Sequence, residues 1–281
     1  MKVWKRSLPV WLLTLVMLLT ACGTPSQPDQ PDGTETWREA YEETGAYLQA
    51  QTAPTVGSIG GEWAVIGLSR AGLLSDETAQ SYEQTVEDYV KQAGSVRLHH
   101  AKSTENSRTI LGLTAAGYNA ANMAGVDLTA GLTDMAYLRA QGTNGPIWAL
   151  IALDCHGYDI PQCADGEEQT TREGLVAEIL SYQCSDGGWA LMGDESDVDM
   201  TAMVLTSLAP YQEETDVKAA VDAALTYLSD AQQADGGFRH SDEQMESDGM
   251  ATEQGFYALA AYDRFRQGQT RLFDMTDIEV K

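Results

Sequence analysis

The sequence predicts an all-α fold, an α/α toroid in which helical-hairpin repeats close into a barrel, and three observations carry that prediction. Two stretches share one layout: a helical segment reaching Gln183 or Gln232-Gln233, a turn of Asp186-Gly187-Gly188-Trp189 or Asp235-Gly236-Gly237-Phe238, an acidic loop, and a further apolar helix. A repeat of this kind cannot bury its apolar face alone and must stack on neighbours. Helical segments also alternate along the chain between amphipathic ones and ones apolar nearly all round, and little in the pattern reads as strand. Helices apolar on every side need flanking neighbours and a filled centre, which a closed ring supplies better than an open solenoid.

Taken in order, residues 1–21 read as an export signal. Lys2, Lys5 and Arg6 form a positive start, and Leu8 to Leu19 form an apolar run of about a dozen residues, too short for a spanning helix. Leu19-Thr20-Ala21-Cys22 closes it and resembles the lipobox of bacterial lipoproteins. That resemblance implies a lipidated Cys22 and a membrane-held chain on the extracytoplasmic face; an ordinary secretory signal that happens to end in Cys is the alternative. Residues 22–35, with Pro25, Pro28 and Pro31, have the composition of a flexible tether. Residues 36–281, about 245 in number, suit one sizeable domain.

Within that domain five pairs are expected, each an outer amphipathic helix followed by an inner apolar one. The outer segments are Trp37 to Gln51, Asp76 to Gln92, Leu128 to Gln141, Thr171 to Gln183 and Val217 to Gln232. Their inner successors are Trp63 to Gly72, Arg108 to Gly117, Pro146 to Leu153, Val198 to Leu208 and Met250 to Tyr262. Pro146 suits a first helical turn, where its missing N–H costs nothing.

The Gln and Asp-Gly-Gly-aromatic units at 180–189 and 228–238, with weaker versions at Tyr137 to Gly145 and Tyr47 to Gln51, resemble the repeats of the prenyltransferase and squalene-cyclase superfamily. Gly61-Glu62-Trp63 and Gln141 to Ile147 resemble its exported bacterial members, whose toroid is related to the helical barrel of cobalamin carriers. The resemblance implies the ring fold. It leaves activity open between enzyme, carrier and scaffold, and it implies a cobalamin-like ligand as one candidate, with no cofactor required.

Asp197-Val198-Asp199-Met200-Thr201 resembles the acid box of class II terpene cyclases, with Asp199 in the place of the proton donor and Asp197 in that of the first carboxylate. Met200 stands where such a box carries another acid. Protonating an alkene needs a strong acid whose charged form is stabilised after transfer. Equally, Asp197 can cap the inner helix with Asp199 in its first turn. No zinc site of the protein prenyltransferase type is expected: Asp199 occupies the thiolate position and the next inner helix starts Gly249-Met250-Ala251 without His. His240 lies in the preceding loop, His99-His100 in another repeat, and His156 at an inner-helix end reads as structural. No metal is therefore assigned.

Candidate ligand-binding residues are Glu62, Trp63, Arg108, Trp148, Asp197, Asp199 and Asp248, placed near the converging starts of the inner helices, with Glu253 close by. The acids repel a diphosphate; the two tryptophans suit an uncharged or cationic organic ligand. Across the chain 42 Asp plus Glu oppose 17 Lys plus Arg, which argues against nucleic acid as a partner. Cys155, Cys163 and Cys184 leave an odd count, with a Cys155–Cys163 bridge as one option. The functional expectation is a non-catalytic, lipid-anchored module that binds a small organic ligand or a surface protein, with a cyclase-like or prenyltransferase-like enzyme using Asp199 as the alternative.

Overall fold

A computed structural model describes residues 46–50, 54–57 and 60–281, which belong to one compact unit spanning residues 44–281. The export signal, Cys22, the tether and most of the first outer segment, Trp37 to Gln51, lie outside the described residues. The described residues form α1 (Glu62–Arg70), α2 (Asp76–Ala93), α3 (Ser103–Ala115), α4 (Met135–Arg139), α5 (Asn144–Asp154), α6 (Arg172–Ser181), α7 (Val198–Leu208), α8 (Thr215–Ala231) and α9 (Gly249–Arg266). Among them no strand is formed, only isolated bridges.

The domain is an α/α toroid. Inner helices α1, α3, α5, α7 and α9 pack each on the next, and α2, α4, α6 and α8 are the outer members. Outer helix α2 shows why: Ser75 caps it by accepting the Thr78 N–H, and Ala79, Tyr82, Val86 and Val90 make one buried stripe. Inner helix α5 is buried along almost its whole length, from Gly145 through Leu153. Burying side chains such as Ile147, Leu150 and Leu153 contributes roughly 1.5–3 kcal/mol each. The last step of the ring uses small residues instead: Ala251, Gly255, Ala258 and Ala261 line one face of α9, which packs closely on α7.

The two Asp-Gly-Gly-aromatic turns are built alike. Asp186 Oδ1 accepts from Gly188 N–H at 3.0 Å and Ser196 Oγ at 2.8 Å; Asp235 Oδ1 accepts from Gly237 N–H at 2.9 Å and Ser247 Oγ at 2.6 Å. Gly187 and Gly236 take positive φ, +91° and +92°, where a side chain is strained. The aromatic residues are buried, and their N–H groups donate to Thr201 Oγ1 and Thr252 Oγ1, both at 2.9 Å. Each turn thereby fixes the start of the next inner helix.

Three expectations need correcting. The second inner helix begins at Ser103 rather than Arg108, so Arg108 sits inside the ring wall and not at its rim. The third outer segment is not continuous: a 3₁₀ turn, Leu128–Leu132, precedes the short α4. Asp134 breaks it by accepting from the Ala136 and Glu168 N–H groups. Cys155, Cys163 and Cys184 are all free, and Cys155 is buried against Thr114 Oγ1 with its thiol pushed up to about 12 by desolvation.

Residues 270–281 cross the C-terminal ends of the inner helices. Met275 N–H donates to Cys155 O at 2.7 Å, His156 Nδ1 lies 3.2 Å from Met275 O, Lys281 N–H donates to Gly117 O at 2.9 Å, and Arg70 pairs with Asp277 at 2.8 Å. This tail floors the ring, and His156 is one of the residues that holds it.

Candidate functional site

Inside the ring lies a cavity of about 600 Å³ to which every inner helix contributes. Trp63, Ile66 and Arg70 of α1 face Trp148 and Ile151 of α5, with Met203 of α7 and Tyr257 of α9 on the remaining wall and Leu272 and Phe273 of the tail below. Trp148 is the hub of the aromatic lining: its ring lies 5.4 Å from Trp63 and meets Phe273 edge-on at 5.9 Å. Such tilted pairs add about 0.5–1.5 kcal/mol beyond burial and hold the rings in place.

Charge enters this lining in matched form. Arg108 Nε bonds Glu62 Oε2 at 3.0 Å and its Nη2 bonds Glu105 Oε2 at 2.5 Å. Glu62 is fully buried and also accepts the Gly57 N–H through both oxygens. That loop contact explains Gly61: a Cβ there would lie 2.2 Å from Thr55 O, so only glycine lets the 54–57 loop fold onto the start of α1. The Gly61-Glu62-Trp63 signal thus places one carboxylate under the wall and one indole in it. Glu62 acts through Arg108, while Trp63, Arg108 and Trp148 line the cavity.

The other predicted residues are elsewhere. Asp197, Asp199 and Asp248 are not among the lining residues. Asp197 and Asp248 cap α7 and α9, accepting from Met200 N–H at 2.7 Å and Ala251 N–H at 2.9 Å. Asp199, in the first turn of α7, receives His240 Nδ1 on Oδ2 at 2.7 Å, while its buried Oδ1 has no hydrogen-bond partner. Desolvation, the larger influence, raises the Asp199 carboxyl above its usual range although His240 opposes it; Asp197 is raised by burial and by the neighbouring Asp199 charge. Acceptor atoms of Asp197, Asp199 and His240 lie within 4.8 Å of one another, a donor set able to hold a divalent cation. His240 reaches it because its own backbone O accepts the Val198 N–H at 2.9 Å, a loop-to-helix tie that helix periodicity does not reveal. His99 and His100 stack on each other at 4.4 Å away from these residues. The Glu253 side chain lies outside the described residues.

Sequence reasoning also missed Asn144, Phe273 and Leu272. Asn144 opens α5 and contributes to the lining, and its buried Oδ1 has no partner. An asparagine just ahead of Pro146 reads as turn chemistry, and the tail has no periodicity to mark it.

Residues 164–263 match the family model described as the A-macroglobulin TED domain. That stretch, under half the chain, runs from the loop before α6 into α9, and the similarity carries the all-α ring architecture. The expected prenyltransferase and squalene-cyclase superfamily is matched only loosely, at the level of that architecture. No curated protein and no solved structure matches the chain.

Proposed function

We propose that the chain is a non-catalytic binding module that takes a drug-sized organic molecule into the centre of its toroid, held by lipid on Cys22 at the extracytoplasmic face of a membrane. The observation that carries the first part is the cavity itself. At about 600 Å³ it falls within the roughly 300–1,000 Å³ of small-molecule sites, and it has the apolar, aromatic lining with few polar groups that such sites share. A surface protein is a further candidate partner, and a cobalamin-like ligand a further candidate cargo.

Native mass spectrometry of the chain after exposure to cell extract, and separately to cobalamin, tests this. A retained small molecule that Trp148→Ala releases supports the cavity; a chain that emerges bare from both leaves the partner-protein reading in its place. The enzymatic alternative asks Asp199 to protonate a bound alkene, yet Asp199 is tied to His240 and is not in the lining. Asp199→Asn should therefore keep ligand retention intact. Isoprenoid turnover that this change abolishes would sink the non-catalytic reading.

The anchor is proposed from the basic start, the short apolar run and Cys22. Two or more acyl chains on one residue hold a protein stably where one does not. Cys22→Ala should shift the chain from the membrane to the soluble fraction, and unchanged retention would overturn the anchor.

A further inference from the structure

We infer that the cavity takes a carboxylate carried on an apolar, ring-bearing body, with Arg70 reading the carboxylate. The inference rests on the reading of the cavity as a ligand site and adds the head group that this site prefers.

The charged groups of the lining are of one sign: it holds two guanidinium groups, Arg70 and Arg108, and no carboxylate. They belong to opposite ends of α1, because Arg108 bonds Glu62, its first residue, and Arg70 is its last, about 12 Å further along the axis at about 1.5 Å per residue. Their remaining donors differ. Arg108 has Nε on Glu62 and Nη2 on Glu105, so two carboxylates already outweigh its charge. Arg70 meets one carboxylate, Asp277, through Nη1 at 2.8 Å. Among the described residues no other group pairs with it, so its Nε and Nη2 edge stays open. That edge is a fork on which a guanidinium takes a carboxylate through two parallel bonds. The Asp277 side chain is 54% exposed, and a pair so placed is weak, so Arg70 keeps its capacity for a second anion.

Gly67 marks where the apolar body lies. It interrupts α1 between Trp63 and Arg70, lines the cavity, and has open space where its Cβ would go. A glycine inside a helix costs about 0.5–1 kcal/mol against alanine, and no close neighbour requires one here. The room it leaves adjoins Trp63, four residues before it, and Arg70, three after it, on the same helix face. Trp63 and Trp148 by themselves suit an uncharged or a cationic ligand; the open fork of Arg70 turns the choice to an anion. The net charge of −25 opposes an anion at a distance, but exposed charges beyond about 8 Å are largely screened at physiological ionic strength, whereas the fork acts at about 3 Å.

Isothermal titration of the full-length chain with three probes on one body tests this: 3-(2-naphthyl)propanoate, its neutral methyl ester and the cationic 3-(2-naphthyl)propylamine. The propanoate should bind about tenfold or more tighter than the ester, with the amine weakest. Arg70→Gln should weaken the propanoate about tenfold and leave the ester within about twofold. Arg70→Lys keeps the charge without the fork and should recover only part of that loss. Gly67→Leu fills the room for the body and should weaken propanoate and ester alike. Equal affinities for propanoate and ester, or a preference for the amine, overturn the carboxylate inference while the cavity remains a ligand site. Absence of binding by every probe overturns both. If Arg70→Gln does not fold, Asp277→Asn leaves Arg70 in place and removes its competing carboxylate. The propanoate should then tighten and the ester stay unchanged; a propanoate no tighter than before overturns the role of Arg70.

Discussion

Asp197 begins α7 with Oδ1 accepting the Met200 N–H at 2.7 Å, a capping bond that an amide oxygen makes as well as a carboxylate. Its charge is a different matter. Burial and the Asp199 carboxylate both push its pKa up, so the folded chain binds a proton there at a pH where the unfolded chain has lost it. Stability from this group therefore rises as pH falls from neutrality through the raised folded value, and the gain is complete below the unfolded value of about 3.9. Two substitutions separate cap from charge. Asp197→Ala should cost about 1 kcal/mol at pH 7 through the lost cap. Asp197→Asn should melt at or above the unaltered chain at pH 7 and lose part of its gain on acidification. Thermal melts at pH 7 and pH 5 check both, and an Asn variant as unstable as the Ala variant would show that the ionised carboxylate itself matters to the fold.

At the scale of elements, the Asp-Gly-Gly-aromatic turn is a joint, and its second glycine is the tight position. A Cβ on Gly237 would stand 2.5 Å from Ser247 Oγ and 2.7 Å from Ser247 Cβ, the serine that Asp235 needs. Gly237→Ala should cost about 1–3 kcal/mol by overpacking. Gly249, at the start of α9, has open space where its Cβ would go, and Gly249→Ala should be neutral or gain up to about 1 kcal/mol by restricting the unfolded chain. Opposite shifts of the urea midpoint at constant slope check the pair; equal shifts would mean that Ser247 moves aside. This joint was legible in the sequence because its glycines, Asp and aromatic residue serve local geometry and recur. The start of α3 was not, because Ser103, Asn106 and Ser107 are polar yet buried. Asn106 donates to Val96 O and Leu128 O and accepts the Leu98 N–H, bonds across loops that no hydrophobic period can show. The site divides the same way. Trp63, Arg108 and Trp148 announce themselves as unusual residues at helical positions, whereas Asn144 lines the cavity from a position that reads as turn chemistry.

For the whole molecule, the unresolved demand of a ring is its closure. Consecutive inner helices pack on one another, but α9 and α1 do not pack closely, and α9 leaves Phe256 67% exposed. What ties the C-terminal ends of α1, α3 and α5 together is the tail, through Asp277, Lys281 and Met275. Its N–H groups pair with carbonyls just past helix ends that helices leave unsatisfied, and Met275 is fully buried. Removing residues 270–281 strips Leu272, Phe273 and Met275 from the floor. At roughly 1.5–3 kcal/mol for each fully buried apolar side chain, and less for the two that are partly exposed, the loss should be roughly 3–5 kcal/mol. The truncated chain should melt well below the intact one and retain no cavity ligand, because the floor beneath Trp148 is gone. Phe273→Ala separates the two effects: it keeps the backbone ties, so it should lose less stability than the truncation while still weakening the ligand. A truncated chain that melts with the intact chain would show that the helices close the ring unaided, and the cavity would then be an open channel rather than a floored cup.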